Sequence, residues 1–123
     1  MKVFVYRNLR KRCYSIKALE GPNKGRVIAH WDYLSLTDAQ FKVSRSGRAR
    51  VLRERQKNVH AGVVGNWEPE TGMDWDRFEN AHKVTYNPYR FESFVNECTH
   101  DAVYQSGKVW LGLTGVFALI QED

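Results

Sequence analysis

The residues with the most chemical potential lie between Lys42 and Lys57. Seven cations stand there (Lys42, Arg45, Arg48, Arg50, Arg53, Arg55 and Lys57) against the single acid Glu54. On a helix, Arg50, Arg53 and Lys57 fall on one stripe through their spacing of three and four. Like charges so placed repel by roughly 0.2–0.5 kcal/mol per pair. A helix built only for structure usually interleaves Glu. An anion would relieve the repulsion, and Arg is the side chain that grips phosphate with two parallel N–H bonds. The competing readings of this run are a solvated face and a contact with another protein.

Aromatic residues form the second feature. Trp67, Trp75, Phe78, Tyr86, Tyr89, Phe91 and Phe94 fall within 28 residues. Most must enter a core, where aromatic rings bury the most surface. One or two could stack on a base, and stacking beside Arg is how single strands and free nucleotides are held. Asn58 or Asn87 could read a base edge. The expected binding set is therefore Arg48, Arg50, Arg53, Lys57, Asn58, His60, Tyr86, Asn87, Tyr89 and Arg90. Arg7 or Arg12 could add phosphate contacts. No RNP-like aromatic motif is present, and no helix-turn-helix follows the basic run.

Signals for catalysis are weak. There is no G-x-S-x-G, Walker loop, G-x-G-x-x-G or H-E-x-x-H. Asp74-x-Asp76-x-x-Glu79 could hold a divalent cation, but the calcium-loop pattern is not met, and acids interleaved with Trp75 and Phe78 read first as a solvated face. Cys98-x-His100 offers two of the four ligands that a structural zinc needs. No catalytic residue, metal site or cofactor is expected. The sequence leans away from an enzyme, with a metal-dependent phosphodiesterase on Asp74, Asp76 and Glu79 as the weakest reading.

The elements that must position these residues are mostly strands. Val3–Tyr6 is β-branched and aromatic. Tyr14–Leu19 alternates with period two, Glu20–Gly25 carries strong turn chemistry, and Arg26–His30 returns, so residues 14–31 read as a hairpin. Tyr33–Leu36 and Gln40–Val43 read as two strands around Thr37-Asp38. Ser44 or Ser46 can cap a helix over about residues 45–57, with Ala49, Leu52 and Gln56 on one face and Asn58 as its stop. Val59–Gly65 resumes β structure. Asn66–Asn80 is a long loop, a length more common in functional segments. His82–Tyr86, Lys108–Leu113 and Val116–Ile120 are strands, Asn87-Pro88-Tyr89 is a turn, and Arg90–Val95 is a strand or short helix. The expected class is α+β: one domain over residues 1–123, a mainly antiparallel sheet and one basic helix.

Composition bounds the rest. The chain has 123 residues, of which 42% are hydrophobic, and a net charge of +5. That length buries a sizeable core in one domain. Residues 1–60 hold 15 Lys/Arg and 4 Asp/Glu, a net of +11, while residues 61–123 hold 4 and 10, a net of −6. The basic half implies an anionic partner, unless the two halves cover each other within or between subunits. Arg7 precedes any apolar segment long enough for a signal peptide, and the uncharged run Val109–Gln121 is too short to span a bilayer. Cys13 and Cys98 are expected as reduced thiols.

Three stretches carry a resemblance: Tyr6-Arg-Asn-Leu9, the run Gly47-Arg-Ala-Arg-Val-Leu-Arg-Glu54 with Lys57-Asn-Val-His-Ala61, and Tyr86-Asn-Pro-Tyr89. As a set they resemble a widespread group of small, uncharacterised bacteriophage and prophage proteins, over most of the chain. Phage proteins of this size commonly counter bacterial defence. One class of similar size and basic, β-rich character sequesters the nucleotide signals of the Thoeris and CBASS systems, and no binding residue carries over from it. The resemblance implies a counter-defence sponge in the host cytoplasm, a homo-oligomer that captures a cyclic ADP-ribose isomer or cyclic oligonucleotide without turnover. The alternative is a protein that binds nucleic acid or inhibits a host nucleic-acid machine, such as a CRISPR complex or polymerase. No membrane partner is expected.

Overall fold

A computed structural model of the chain describes residues 1–57, 59–67 and 79–120. Nine strands and one helix follow in order: β1 (Lys2–Asn8), β2 (Cys13–Ala18), β3 (Val27–Trp31), β4 (Leu34–Val43), α1 (Arg45–Glu54), β5 (Ala61–Asn66), β6 (Ala81–Thr85), β7 (Val95–Asn96), β8 (Gln105–Gly112) and β9 (Gly115–Leu119). They form one sheet in the order β3-β2-β1-β5-β4-β8-β9-β6-β7. Every neighbouring pair is antiparallel.

Period-two alternation places the apolar residues on one face. Val3 faces Ala18 and Val5 faces Ile16 across β1 and β2. The same face continues through Val63 on β5 and Phe41 on β4. Leu34 and Leu36 then meet Leu111 and Val109 on β8. The sheet rolls so that this face encloses itself. Tyr14 on β2 donates its hydroxyl to the Gly112 carbonyl at 2.8 Å, although β1, β5 and β4 lie between β2 and β8. Trp31 and Trp67 meet edge to face at 6.4 Å. Each fully buried Val, Leu or Ile side chain contributes about 1.5–3 kcal/mol, so the rolled sheet builds a core without a helical layer.

The α+β expectation is corrected on this point. Among the described residues, the architecture is a β-sheet with nine strands, and the helical content is one ten-residue element. The helix stops at Glu54 rather than Lys57, because Arg55 turns left-handed at φ 53° and its N–H bonds back to the Val51 carbonyl. Its buried residue is Val51, while Ala49 and Gln56 are exposed. The two short strands expected around Thr37-Asp38 are one bent strand, β4, whose register with β5 breaks between Thr37 and Gln40. Asp38 takes φ 49° in that bulge. Of Arg90–Val95, only Val95 joins a strand.

Register also fixes what stands together at the end of the sheet. Val43 pairs with Ala61, and Val5 pairs with Val63. So β1 runs out, β5 begins and β4 ends at one end. The basic turn Leu9–Arg12 and helix α1 project from that end. Among the described residues, no helix is long and apolar enough to cross a membrane. Cys13 is buried and Cys98 exposed, both as free thiols.

Candidate functional site

Helix α1 is seated by its N-terminus. Ser44 caps it, its Oγ accepting from the Gly47 N–H at 3.1 Å. The Ser44 N–H bonds the His60 carbonyl at 2.7 Å, which ties the cap to the start of β5. Gly47 is required by close approach: a Cβ there would lie 2.6 Å from the His60 Cβ. Arg45 and Arg48 occupy the first turn, which carries no acid. The helix dipole opposes cations at that position, so their placement needs another reason.

For Arg48 the structure supplies one. Its Nε donates to the carbonyls of Pro88 and Phe91, each at 3.0 Å. Those carbonyls are presented by a turn that Asn87 organises. The Asn87 side-chain oxygen accepts the Tyr89 N–H at 2.9 Å, and its carbonyl accepts the N–H groups of Arg90 and Phe91 at 3.0 and 2.8 Å. Tyr86, just before the turn, is hydrogen-bonded to His60 Nε2 at 2.7 Å and packs on Phe94 at 5.2 Å between ring centroids. Burial pushes the Tyr86 phenol above its ordinary value, and the nearby Arg48 charge pulls it partly back. The structure thus joins Arg48, His60, Tyr86 and Asn87 into one clasp between α1 and the segment after β6. The clasp occupies Arg48 Nε with two carbonyls and the Tyr86 hydroxyl with His60.

The remaining expected residues divide. Arg50, Arg53 and Lys57 are exposed on the outward side. Arg50 pairs with Glu54 at 3.0 Å, so part of the expected repulsion is answered within the helix. Lys42, Arg45 and Arg55 are exposed as well, which makes six exposed cations over residues 42–57 against one acid. Tyr89 is 59% exposed. Arg90 lies over the Phe91 ring at 5.1 Å. Asn58 lies outside the described residues, as do Trp75, Phe78, Asp74 and Asp76, so the proposed acidic cation cluster is not described. Cys98 is exposed, and His100 packs its ring on Phe91 at 5.4 Å. Among the described residues, no group of three or more His, Cys, Asp or Glu side chains could hold a metal.

Two groupings are not marked in the sequence. In the first, Arg7, offered by the sequence as a phosphate contact, lies over the Tyr14 ring at 5.1 Å, with its Nη1 buried and unpartnered among the described residues. Burial raises the Tyr14 phenol, and Arg7 lowers it in part. The second is an open recess of about 560 Å³ bounded by Asp38, Gln40, Tyr104, Gln105 and Leu119. Its walls come from positions more than 60 residues apart, Gln40 and Gln105 being cross-strand partners. No local pattern marks such a pair. Neither this recess nor a smaller one beside Lys2 and Asn66 is lined by α1.

The model of a family described as Mycobacterium phage L5 gene 82 protein matches residues 1–119. The Gene 82 protein of Mycobacterium phage L5 is 39% identical over 124 residues, covering 96% of this chain and 95% of its own length. No solved structure matches the chain significantly. The match carries the resemblance to uncharacterised phage proteins, and no likeness to the nucleotide sponges comes with it. The chain belongs to the Mycobacterium phage L5 gene 82 protein family.

Proposed function

We propose that this phage protein binds the phosphate backbone of nucleic acid in the cytoplasm of the infected host. One observation carries the reading: Lys42, Arg45, Arg50, Arg53, Arg55 and Lys57 are all exposed, beside a clasp that holds the helix by its other side. The basic turn Arg10–Arg12 projects from the same end of the sheet and is also exposed. Such a surface is open. It suits an extended polyanion, whose phosphates need no walls. Capture of a free nucleotide signal, the counter-defence sponge, would use the same cations but needs an enclosure around them. The recesses described here lie elsewhere on the sheet.

The test is fluorescence anisotropy with labelled 20-mer DNA and RNA at 50, 100 and 200 mM salt. Contacts to about six phosphates should weaken binding roughly 10³-fold across that range. No binding at 50 mM, together with a thermal shift from a cyclic nucleotide or ADP-ribose isomer alone, would replace this reading with the sponge.

A further inference from the structure

We infer that the recess beside the β4 bulge is a subsite for one unpaired base, which makes the protein selective for single strands. The inference rests on the phosphate-binding reading above. The recess holds about 560 Å³, within the range of small-ligand sites, and no Lys or Arg lines it. It is therefore unsuited to phosphate. Its chemistry fits a neutral, planar, hydrogen-bonding ring.

Gln40 and Gln105 are direct cross-strand partners and both are exposed. Side chains so paired stand on one face, about 5 Å apart at Cβ. Each amide offers a donor and an acceptor, the combination that reads a base edge. Tyr104, next to Gln105, is 67% exposed and offers a ring for stacking. Its backbone is held in place, since its carbonyl accepts the Phe41 N–H at 2.9 Å. Leu119 adds an apolar wall, and a Cβ at Gly107 would meet nothing, so the floor is open. The bulge itself aims the site: Asp38 is left-handed and exposed, and the register slips before Gln40. Bulges of this kind re-aim side chains at functional places.

Position connects the recess to the cations. Lys42 follows Gln40 by two residues on the same strand face, about 7 Å along β4, and leads into Arg45. A strand whose phosphates run along Lys42 and Arg45 can turn a base toward Gln40 and Tyr104. A duplex cannot, because its bases are paired and stacked.

The experiment compares a labelled single-stranded 12-mer with the same sequence as a duplex, at 100 mM salt. The proteins are the full chain and its Tyr104→Ala and Gln105→Ala variants, both changed at exposed positions. The single strand should bind at least tenfold tighter. Tyr104→Ala should lose about tenfold toward the single strand and nothing toward the duplex. Gln105→Ala should lose several-fold, again for the single strand alone. Equal binding of both forms, unchanged in either variant, would overturn the base subsite and leave the phosphate reading standing. Equal losses toward both forms would overturn it too, by showing a structural role. No binding of either form even at 50 mM salt would remove the phosphate reading, and the subsite with it.

Discussion

Tyr86 and His60 meet through a 2.7 Å hydrogen bond between the phenol and Nε2, across 26 residues of sequence. The bond joins the start of β5 to the end of β6. It lies under the helix that carries the exposed cations. Removing the hydroxyl with Tyr86→Phe keeps the ring against Phe94 and deletes only the bond. The loss should be about 1 kcal/mol, read as a lower urea midpoint with unchanged slope.

Alkaline pH should loosen the fold through the same residue. Burial raises the phenols of Tyr86 and Tyr14 above their ordinary value. In the unfolded chain these groups lose their protons first, near pH 10. Stability is therefore fully present below that pH and falls as pH rises toward the folded-state values. Chemical denaturation between pH 8 and 11.5 checks the sign. Tyr14→Phe with Tyr86→Phe should flatten the fall.

Arg48 and Arg53 lie five residues apart in one helix and should behave oppositely. Arg48→Ala leaves the Pro88 and Phe91 carbonyls without their donor. A loss of about 2 kcal/mol in stability is expected. Arg53→Ala removes an exposed side chain and should change stability by less than about 0.5 kcal/mol. It should instead reduce the salt slope of nucleic-acid binding by about 0.7–0.9. Denaturation and anisotropy on both variants separate clasp from contact surface.

If the cations bind phosphate as proposed, Glu54 competes with that phosphate for Arg50. The pair is exposed, so Glu54→Gln should alter stability by less than about 1 kcal/mol. Binding of an oligonucleotide at low salt should tighten a few-fold, because Arg50 is released. Unchanged binding by this variant would place Arg50 outside the contact surface.

Gly47 reverses a general rule. Replacing a helical glycine with alanine ordinarily stabilises by about 1 kcal/mol. Here the new Cβ would sit 2.6 Å from that of His60. Helix and β5 would have to part, so Gly47→Ala should destabilise, and a raised midpoint in thermal unfolding would contradict the described contact.

Local chemistry made part of this structure legible. The turn residues of Glu20–Gly25 announce the β2–β3 hairpin, and Ser44 announces the helix start. The helix end was hidden, because Arg55 adopts the left-handed conformation that Gly or Asn normally signals. Thr37-Asp38 looks like a turn yet forms a bulge within one strand, since pairing with both β5 and β8 holds β4 together. The mainly antiparallel sheet and its basic helix were legible, but one ten-residue helix does not make a helical layer. The cationic run was visible as charge, but not its division of labour. Only tertiary contact turns Arg48 inward to two carbonyls while Arg53 stays in solvent. Gln40 and Gln105 became neighbours through register alone.

The most direct test of the central claim is the salt dependence of binding to a single-stranded oligonucleotide, measured for the full chain and for a variant with Arg45, Arg50 and Arg53 each replaced by Gln. Engagement of about six phosphates predicts a slope near −4 in log affinity against log salt, falling to about −2 in the variant. A slope near zero, or one that the three substitutions leave unchanged, would contradict the account.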